Sequence, residues 1–160
     1  METKIGVYIC KGCDIGKTLD IDKLVEVAND DTEAALCKTH DVLCSKEGIA
    51  SIQADIANEG VDRVVVAACS QRVFAASFEF PAHVVTDRVN LREQVAWCHT
   101  PDDEDTQMLG EDQIRMGAAR LATLAPPEAF IEETSKDLMV IGGGVGGMTA
   151  AKSAATAGYK

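Results

Sequence analysis

The run RVVVAA, at residues 63–68, constrains the fold of this chain more than any other segment. Its apolar residues do not alternate with polar ones, which is typical of a strand covered on both faces in a parallel sheet. Successive parallel strands must be joined by crossover connections, and these usually contain a helix. The run therefore predicts an α/β domain with helices on both faces of the sheet.

The segments on either side of this run alternate between strand and helix patterns. Short runs rich in branched and aromatic residues predict three more strands, at residues 4–9, 33–37 and 82–86. Helices are predicted after the N-cap residues Asp20 and Ser45, and a long helix is predicted from the acidic run 102–105 to about Leu124. This order implies right-handed crossovers and a doubly wound parallel sheet with flanking helices.

The pair Pro126 and Pro127 ends the long helical pattern and divides the chain. The second part is predicted to begin with a strand at 138–141, and its pattern stops short at the end of the sequence. We therefore predict three parts: an α/β domain, a linker and the opening of a second domain, at residues 1–125, 126–136 and 137–160.

Three glycines after the predicted strand at 138–141 match the pattern G-x-G-x-x-G, and they are Gly142, Gly144 and Gly147. The first allows a tight turn, the second lets the backbone approach a pyrophosphate, and the third lets the helix pack closely on the strand. This context predicts a dinucleotide-binding fingerprint. The acidic residue expected about 20 positions on lies past Lys160, so we expect this stretch to bind its cofactor weakly or not at all.

Charge and hydropathy limit the classes of partner. The formal net charge is -11 at pH 7 and no basic cluster offsets it, so nucleic acid and anionic membrane surfaces are not expected partners. No apolar run approaches the roughly 20 residues that span a bilayer, and the start METKIGVYIC lacks the layout of a signal peptide. We therefore expect a cytoplasmic protein that does not insert into the membrane.

The six cysteines carry the most reactive chemistry in the chain. Structural disulfides are rare in cytoplasmic proteins, so such cysteines are metal ligands, catalytic thiols or buried fillers. Cys10 follows the first predicted strand, Cys69 follows the third, and Cys44 lies one residue before the helix cap at Ser45. Because the carboxyl ends of parallel strands share one edge of the sheet, these loops are expected to bring the thiols together. Cys13, separated from Cys10 by two residues, supplies the natural fourth ligand.

Several chemistries use the same thiols. A zinc site with four cysteine ligands is one, although zinc sites usually come as two close pairs, and these cysteines form one pair and two single residues. An iron–sulfur cluster tolerates that spacing more readily. A redox dithiol of Cys10 and Cys13 is another, but the thioredoxin arrangement needs a long helix directly after the second cysteine, and here residues 14–17 intervene before Asp20.

The remaining candidates are assigned differently. Cys37 ends the second predicted strand and is an alternative to Cys13 as the fourth ligand. Cys98 stands apart from the other cysteines and is expected to be a packing residue, because free cysteines behave as small apolar groups. Arg72 is expected either to donate to the sulfur atoms of a cluster or to anchor its own loop. Arg92 is expected to form a packing contact and to take no part in chemistry.

Four segments resemble a known family, and they are VYICKGC at 7–13, CKTHDVLCSKEG at 37–48, VVVAACSQR at 64–72 and RVNLREQVAWCHTPDDEDTQ at 88–107. Together they resemble the amino-terminal domain of the A subunits of heterodisulfide reductases. The closer match is the related B subunit of the quinone-interacting membrane-bound oxidoreductase complex, which has a comparable CxGC pair and CKTH loop. The resemblance covers essentially the whole chain.

The resemblance implies an iron–sulfur flavoprotein. In that family an amino-terminal domain with a 4Fe-4S cluster precedes a Rossmann-type FAD domain, so residues 137–160 would be its truncated first β-α unit and FAD would bind only in the full-length parent. Val95 departs from the family, since the heterodisulfide reductase pattern commonly has a cysteine there. The positions carried over as cluster ligands are Cys10, Cys13, Cys44 and Cys69.

The function implied by the resemblance is electron transfer. The chain would be the amino-terminal part of an oxidoreductase subunit that passes electrons between the cluster, FAD and partner subunits, one of them membrane-bound, in anaerobic sulfur metabolism. It would meet the membrane only through those subunits, and the isolated stretch is not expected to be active alone. No bond-making catalytic residue is predicted. Two alternatives remain: a docking module held together by zinc or a vestigial cluster, and a dithiol redox protein.

Overall fold

Four parallel strands form one sheet in the computed structural model, which describes residues 3–160. The strands are β1 (Ile5–Cys10), β2 (Ala34–His40), β3 (Arg63–Ala68) and β4 (Val85–Asn90). Their order across the sheet is β2-β1-β3-β4, so the chain first moves to one side of β1 and then to the other. This reversal places a switch point at the carboxyl ends of β1 and β3, where open α/β sheets form ligand sites.

Helices begin where the sequence offers capping side chains. The Asp20 carboxylate accepts hydrogen bonds from backbone N–H groups at the start of one helix, and the Ser45 hydroxyl accepts one from the Gly48 N–H at 3.1 Å in another. Both predicted caps are confirmed. No helix within residues 3–160 is long and apolar enough to cross a bilayer. The α-helices are α1 (Ile15–Thr18), α2 (Ile21–Asp30), α3 (Lys46–Asn58), α4 (Glu104–Thr123) and α5 (Val145–Thr156), with a 3₁₀ turn at Ala75–Phe78 and a π-helical turn at Arg92–Ala96.

Helices cover both faces of the sheet. On one face, the Tyr8 hydroxyl donates a hydrogen bond to the Asp55 carboxylate of α3 at 3.1 Å, and Lys38 binds the same carboxylate at 2.6 Å. The strand register puts Val89 on the opposite face from Tyr8. There Gly117 of α4 lies so close to Val89 that a β-carbon would overlap the valine side chain. One all-parallel sheet with helices on each side confirms the predicted α/β fold.

The two central strands, β1 and β3, form the middle of the core. Every residue of both strands is buried. Burial includes Arg63, whose guanidinium pairs with the Asp62 carboxylate at 3.1 Å. The absence of alternation in RVVVAA therefore has the predicted cause, which is cover on both faces.

Two predicted strand boundaries are wrong. β2 ends at His40 and not at Cys37, because its ladder with β1 continues for three more residue pairs. β4 begins at Val85 and not at residue 82, because a turn closed by a hydrogen bond from Val84 N to Pro81 O at 2.8 Å comes first. The first change moves Cys37 from the end of its strand to the middle.

The chain divides into two compact units, Met1–Pro126 and Pro127–Lys160. In the second unit α5 forms, but residues 138–141 are not a strand. A lone strand is unstable because its backbone groups need a neighbouring strand. Gly142 has a φ of 112°, and a β-carbon at Gly147 would collide with the Gly142 carbonyl. These two glycines thus have the turn and close-packing properties expected of the fingerprint, while the Rossmann-type FAD unit stays a prediction.

Candidate functional site

A cavity of about 90 Å³ lies at the carboxyl ends of β1 and β3, at the switch point of the sheet. Its other walls are largely apolar and include Phe74 and Phe78. All four cysteines that the sequence analysis grouped together line this cavity, and they are Cys10, Cys13, Cys44 and Cys69. The structure therefore brings together thiols from three separate loops.

Each thiol is positioned by a different part of the fold. Cys10 is the last residue of β1 and Cys69 directly follows β3, and both are buried. Cys44 is half-buried, immediately before the Ser45 cap of α3. Cys13 is exposed, in the loop between β1 and α1. The cavity thus has three partly or fully buried thiols and one at its mouth.

Unusual backbone conformations surround the cavity. Cys13 and Asp14 have φ values of 53° and 70°, and Phe74 has a φ of 49°. Side chains other than glycine rarely adopt this left-handed region, and each such residue costs about 1–3 kcal/mol when the surroundings impose it. A β-carbon at Gly12 would collide with the Asp41 carbonyl, so the Cys13 loop packs directly on the loop after β2. Neighbouring loops hold the Cys13 loop in a costly conformation, as is common at functional sites.

Arg88 reaches the cavity from β4. Its Nη2 donates to the Cys69 sulfur at 3.2 Å and also contacts the carbonyl oxygens of Cys69, Ser70 and Val73 at 3.2, 3.3 and 3.3 Å. The guanidinium carbon lies 4.1 Å from the centre of the Phe78 ring. Arg88 therefore fixes both the sulfur of Cys69 and the loop that follows it.

Arg92 reaches the cavity from the π-helical turn. Its Nη1 lies 3.6 Å from the Cys13 sulfur, and its Nε and Nη2 donate to Glu93 Oε1 at 3.1 and 2.6 Å. The other oxygen of Glu93 accepts a hydrogen bond from Ser70 N at 2.8 Å. The Trp97 indole N–H, beneath the Arg92 guanidinium, donates to the Cys13 carbonyl at 3.2 Å. The turn thus ties the Cys13 loop to the Cys69 loop.

The charges at this edge act in opposite directions on the thiols. Burial raises the pKa of the Cys69 thiol, and the nearby Arg88 and Arg92 guanidinium groups oppose that rise. Burial would also raise the pKa of the Glu93 carboxyl, but hydrogen bonds from Arg92 and Ser70 N bring it below its usual range. The edge of the cavity therefore carries two guanidinium cations and one carboxylate.

The alternative ligand Cys37 and the outlying Cys98 lie elsewhere. Cys37 pairs with Val7 in the sheet, so its side chain is on the face opposite to that of Cys10. Burial raises the pKa of the Cys37 thiol to about 11. Cys98 is exposed, and its sulfur is 3.2 Å from His99 Nδ1. Neither cysteine is among the residues that line the cavity.

The arginines that reach the thiols are not the one that the sequence analysis named. Arg72 is exposed and lines a separate polar cavity, whereas Arg88 and Arg92 donate to cysteine sulfurs. The expectation that Arg92 only packs is therefore wrong. A usable signal was present: in the β3–β4 register Arg88 pairs with Val66, which shares a face of the sheet with Tyr8 and Cys10. That signal depends on placing β4 correctly, and the predicted strand ended before it.

The donor set of the cavity fits a four-iron cluster. Four cysteine thiolates are the usual ligands of a 4Fe-4S cluster, and apolar walls and hydrogen-bond donors to sulfur commonly surround it. Each thiolate binds a different iron, so the sulfurs stand farther apart than the ligands of one ion. Within residues 3–160, no three His, Cys, Asp or Glu side chains converge on a point suited to a single metal ion.

Sequence comparison relates the chain to one group of proteins. No family model matches the sequence. Over 98% of its length the chain is 36% identical to the A subunit of Ferredoxin:CoB-CoM heterodisulfide reductase from Methanosarcina mazei. Over 99% of its length it is 36% identical to the A subunit of H(2):CoB-CoM heterodisulfide,ferredoxin reductase from Methanothermobacter thermautotrophicus. Over the same share it is 31% identical to the second of the iron-sulfur A subunits of CoB-CoM heterodisulfide reductase from Methanopyrus kandleri.

These relatives are much longer than the chain. The chain spans 21% of the length of the first relative and 25% of each of the other two. All three are named as the A subunits of heterodisulfide reductases, and the third is named an iron–sulfur subunit. Along nearly its whole length, the chain is therefore homologous to part of an oxidoreductase subunit.

Proposed function

We propose that this chain, homologous along its length to part of the heterodisulfide reductase A subunits, is the iron–sulfur portion of an electron-transfer subunit. One observation carries the proposal: thiols from three loops line a single cavity at the switch point of the sheet. The name of one relative supports an iron–sulfur cofactor independently of that geometry.

Four thiols would hold a 4Fe-4S cluster in this cavity. When bound, the cluster supplies one-electron transfer without any bond to substrate. Phe78 and the buried ends of β1 and β3 exclude water from the inner side of the cavity. Cys13 faces solvent at the mouth, so electrons would enter and leave on that side. The proposed ligands are Cys10, Cys13, Cys44 and Cys69.

The proposal extends to cofactor and partners in a longer parent. FAD would bind there through Gly142, Gly144 and Gly147, and electrons would pass between FAD, the cluster and other subunits. The positive φ of Gly142 and the close packing at Gly147 support the glycine roles. The segments that resemble the quinone-interacting complex support a cytoplasmic subunit whose partners include a membrane-bound one.

The experiment is metal analysis of the 160-residue chain purified without oxygen. We expect about four iron and four sulfide per chain, and an electron paramagnetic resonance signal after reduction with dithionite. Serine at any of the four proposed ligand positions should abolish or strongly reduce both. Cys37→Ser and Cys98→Ser are the matched controls and should keep full iron content.

Other results would support the alternatives. A colourless protein that contains zinc and gives no signal after reduction would favour a docking module. Thiol exchange that requires Cys13 and proceeds without metal would favour a dithiol enzyme. Iron loss in Cys37→Ser, with full iron in Cys13→Ser, would move the fourth ligand to β2.

A further inference from the structure

We propose that Arg88 and Arg92 are positioning residues that hold two of the four thiolates and raise the reduction potential of the site. This inference rests on the proposed cluster. The two guanidinium groups donate to the sulfurs of Cys69 and Cys13 at 3.2 and 3.6 Å. They come from β4 and from the π-helical turn, so separate elements deliver them to the same cavity.

A cationic donor at a ligand sulfur favours the reduced state. One-electron reduction adds a negative charge to the site, and a fixed positive charge nearby stabilises that charge. Water screens such an effect at the surface, but the Arg92 side chain is only 15% exposed and Arg88 is half-buried. Hydrogen bonds to cluster sulfurs and the local net charge are established determinants of these potentials.

The two arginines are not equivalent. The Glu93 carboxylate lies 2.6 Å from Arg92 Nη2, so it offsets much of that positive charge. Arg88 forms no salt bridge with a carboxylate in the part of the chain described, residues 3–160, and its charge acts on Cys69 without that offset. Arg88 should therefore have the larger effect on the potential.

Arg88 is also poorly explained as a stabilising residue. Its Nε is buried and has no hydrogen-bond partner within residues 3–160. A buried unsatisfied donor costs about 1–3 kcal/mol, more when it belongs to a charged group. A neutral side chain would avoid that cost, so the positive charge itself is the property that the site uses.

The experiment measures reduction potentials of the iron-loaded chain and its variants by titration with dithionite, followed by electron paramagnetic resonance. The electron comes from dithionite, and no bond is made or broken. Arg88→Gln should lower the equilibrium constant for reduction about tenfold, equivalent to about 59 mV for one electron. Arg92→Gln should lower it by less. Arg88→Lys keeps the charge and should recover part of the loss.

Arg120→Gln is the matched control. Arg120 extends from α4 to the Asp87 carboxylate at 2.9 Å, beside Arg88 but away from the thiols, so its loss should leave the potential unchanged. An unchanged potential in fully loaded Arg88→Gln would overturn the inference. Loss of the cluster from folded Arg88→Gln and Arg88→Lys would also overturn it and leave Arg88 a structural role. Absence of iron from the unmodified chain would instead overturn the proposed function.

Discussion

Cys37 and Cys69 differ in what surrounds two thiols of one fold. Burial raises the pKa of both, but only Cys69 has a guanidinium group within hydrogen-bonding distance of its sulfur. A metal binds the thiolate form, so a buried thiol with no compensating cation is a poor ligand. At the scale of single residues, Arg88 is therefore what distinguishes a candidate ligand from a packing residue.

A second residue-scale feature is the buried contact between Tyr8 and Asp55. Burial and the neighbouring carboxylate raise the pKa of Tyr8 well above its usual value of about 10. A group whose pKa is raised by folding stabilises the protein fully below its unfolded pKa, and that stability is lost as the pH rises. Stability linked to Tyr8 should therefore be complete below about pH 10 and should fall above it.

We expect the free energy of unfolding to fall between about pH 9 and pH 11 more steeply in the unmodified chain than in Tyr8→Phe. The variant should also lose about 1 kcal/mol at pH 8, because one hydrogen bond to Asp55 is missing. Urea unfolding at each pH measures both effects. Tyr159→Phe, at an exposed position, is the control and should behave like the unmodified chain. Parallel pH curves for all three proteins would contradict the assignment.

At the scale of elements, α4 approaches the sheet closely because it carries a glycine at the contact. A β-carbon at residue 117 would overlap the branched end of Val89, which is buried and has little freedom to move. At Gly110 the nearest atom is instead the end of the flexible Leu19 side chain, at 3.0 Å. The two glycines of α4 thus differ in how much crowding an added methyl group would cause.

We expect Gly117→Ala to destabilise the protein by about 1–2 kcal/mol, because overpacking outweighs the gain of about 1 kcal/mol in helix propensity. Gly110→Ala should be close to neutral. Urea unfolding with an unchanged m-value measures both. If Gly117→Ala is as stable as Gly110→Ala, then α4 shifts readily on the sheet and the contact with Val89 does not set its position.

The predictability of these elements from the sequence followed the strength of local signals. RVVVAA and the caps at Asp20 and Ser45 are local features, and the structure contains the strand and both helices where they indicate. β4 was harder, because its polar residues 86–88 give little apolar pattern. The π-helical turn has no known periodic signature in the chain, so the position of Arg92 could not be derived.

At the scale of the whole molecule, topology assembles the site. Strands β1 and β3 are neighbours although β2 lies between them in the sequence, and this adjacency brings Cys10 and Cys69 together. The shared carboxyl edge was predictable from parallel pairing alone. The arginine contacts were not, because they depend on the exact register of β4 and on side-chain placement across the cavity.

Cluster binding should stabilise the whole α/β unit, because its ligands come from three loops that are distant in sequence. Anything that binds only the folded state stabilises it, by about 2.7 kcal/mol at one hundred times its dissociation constant. We expect removal of iron with a chelator to lower the melting temperature measured by circular dichroism. Cys44→Ser should melt at the same temperature with or without the chelator. An equal melting temperature for loaded and stripped unmodified protein would contradict the expectation.

The exposure of Cys13 determines where damage by air should begin. The other three thiols of the cavity are buried or half-buried, but an oxidant in solution can approach Cys13 directly. Sulfur oxidation at that position would remove one ligand and leave β1, β3 and their helices undisturbed. Spoilage of the protein in air should accordingly be a local chemical injury at one corner, and the polypeptide should outlast it.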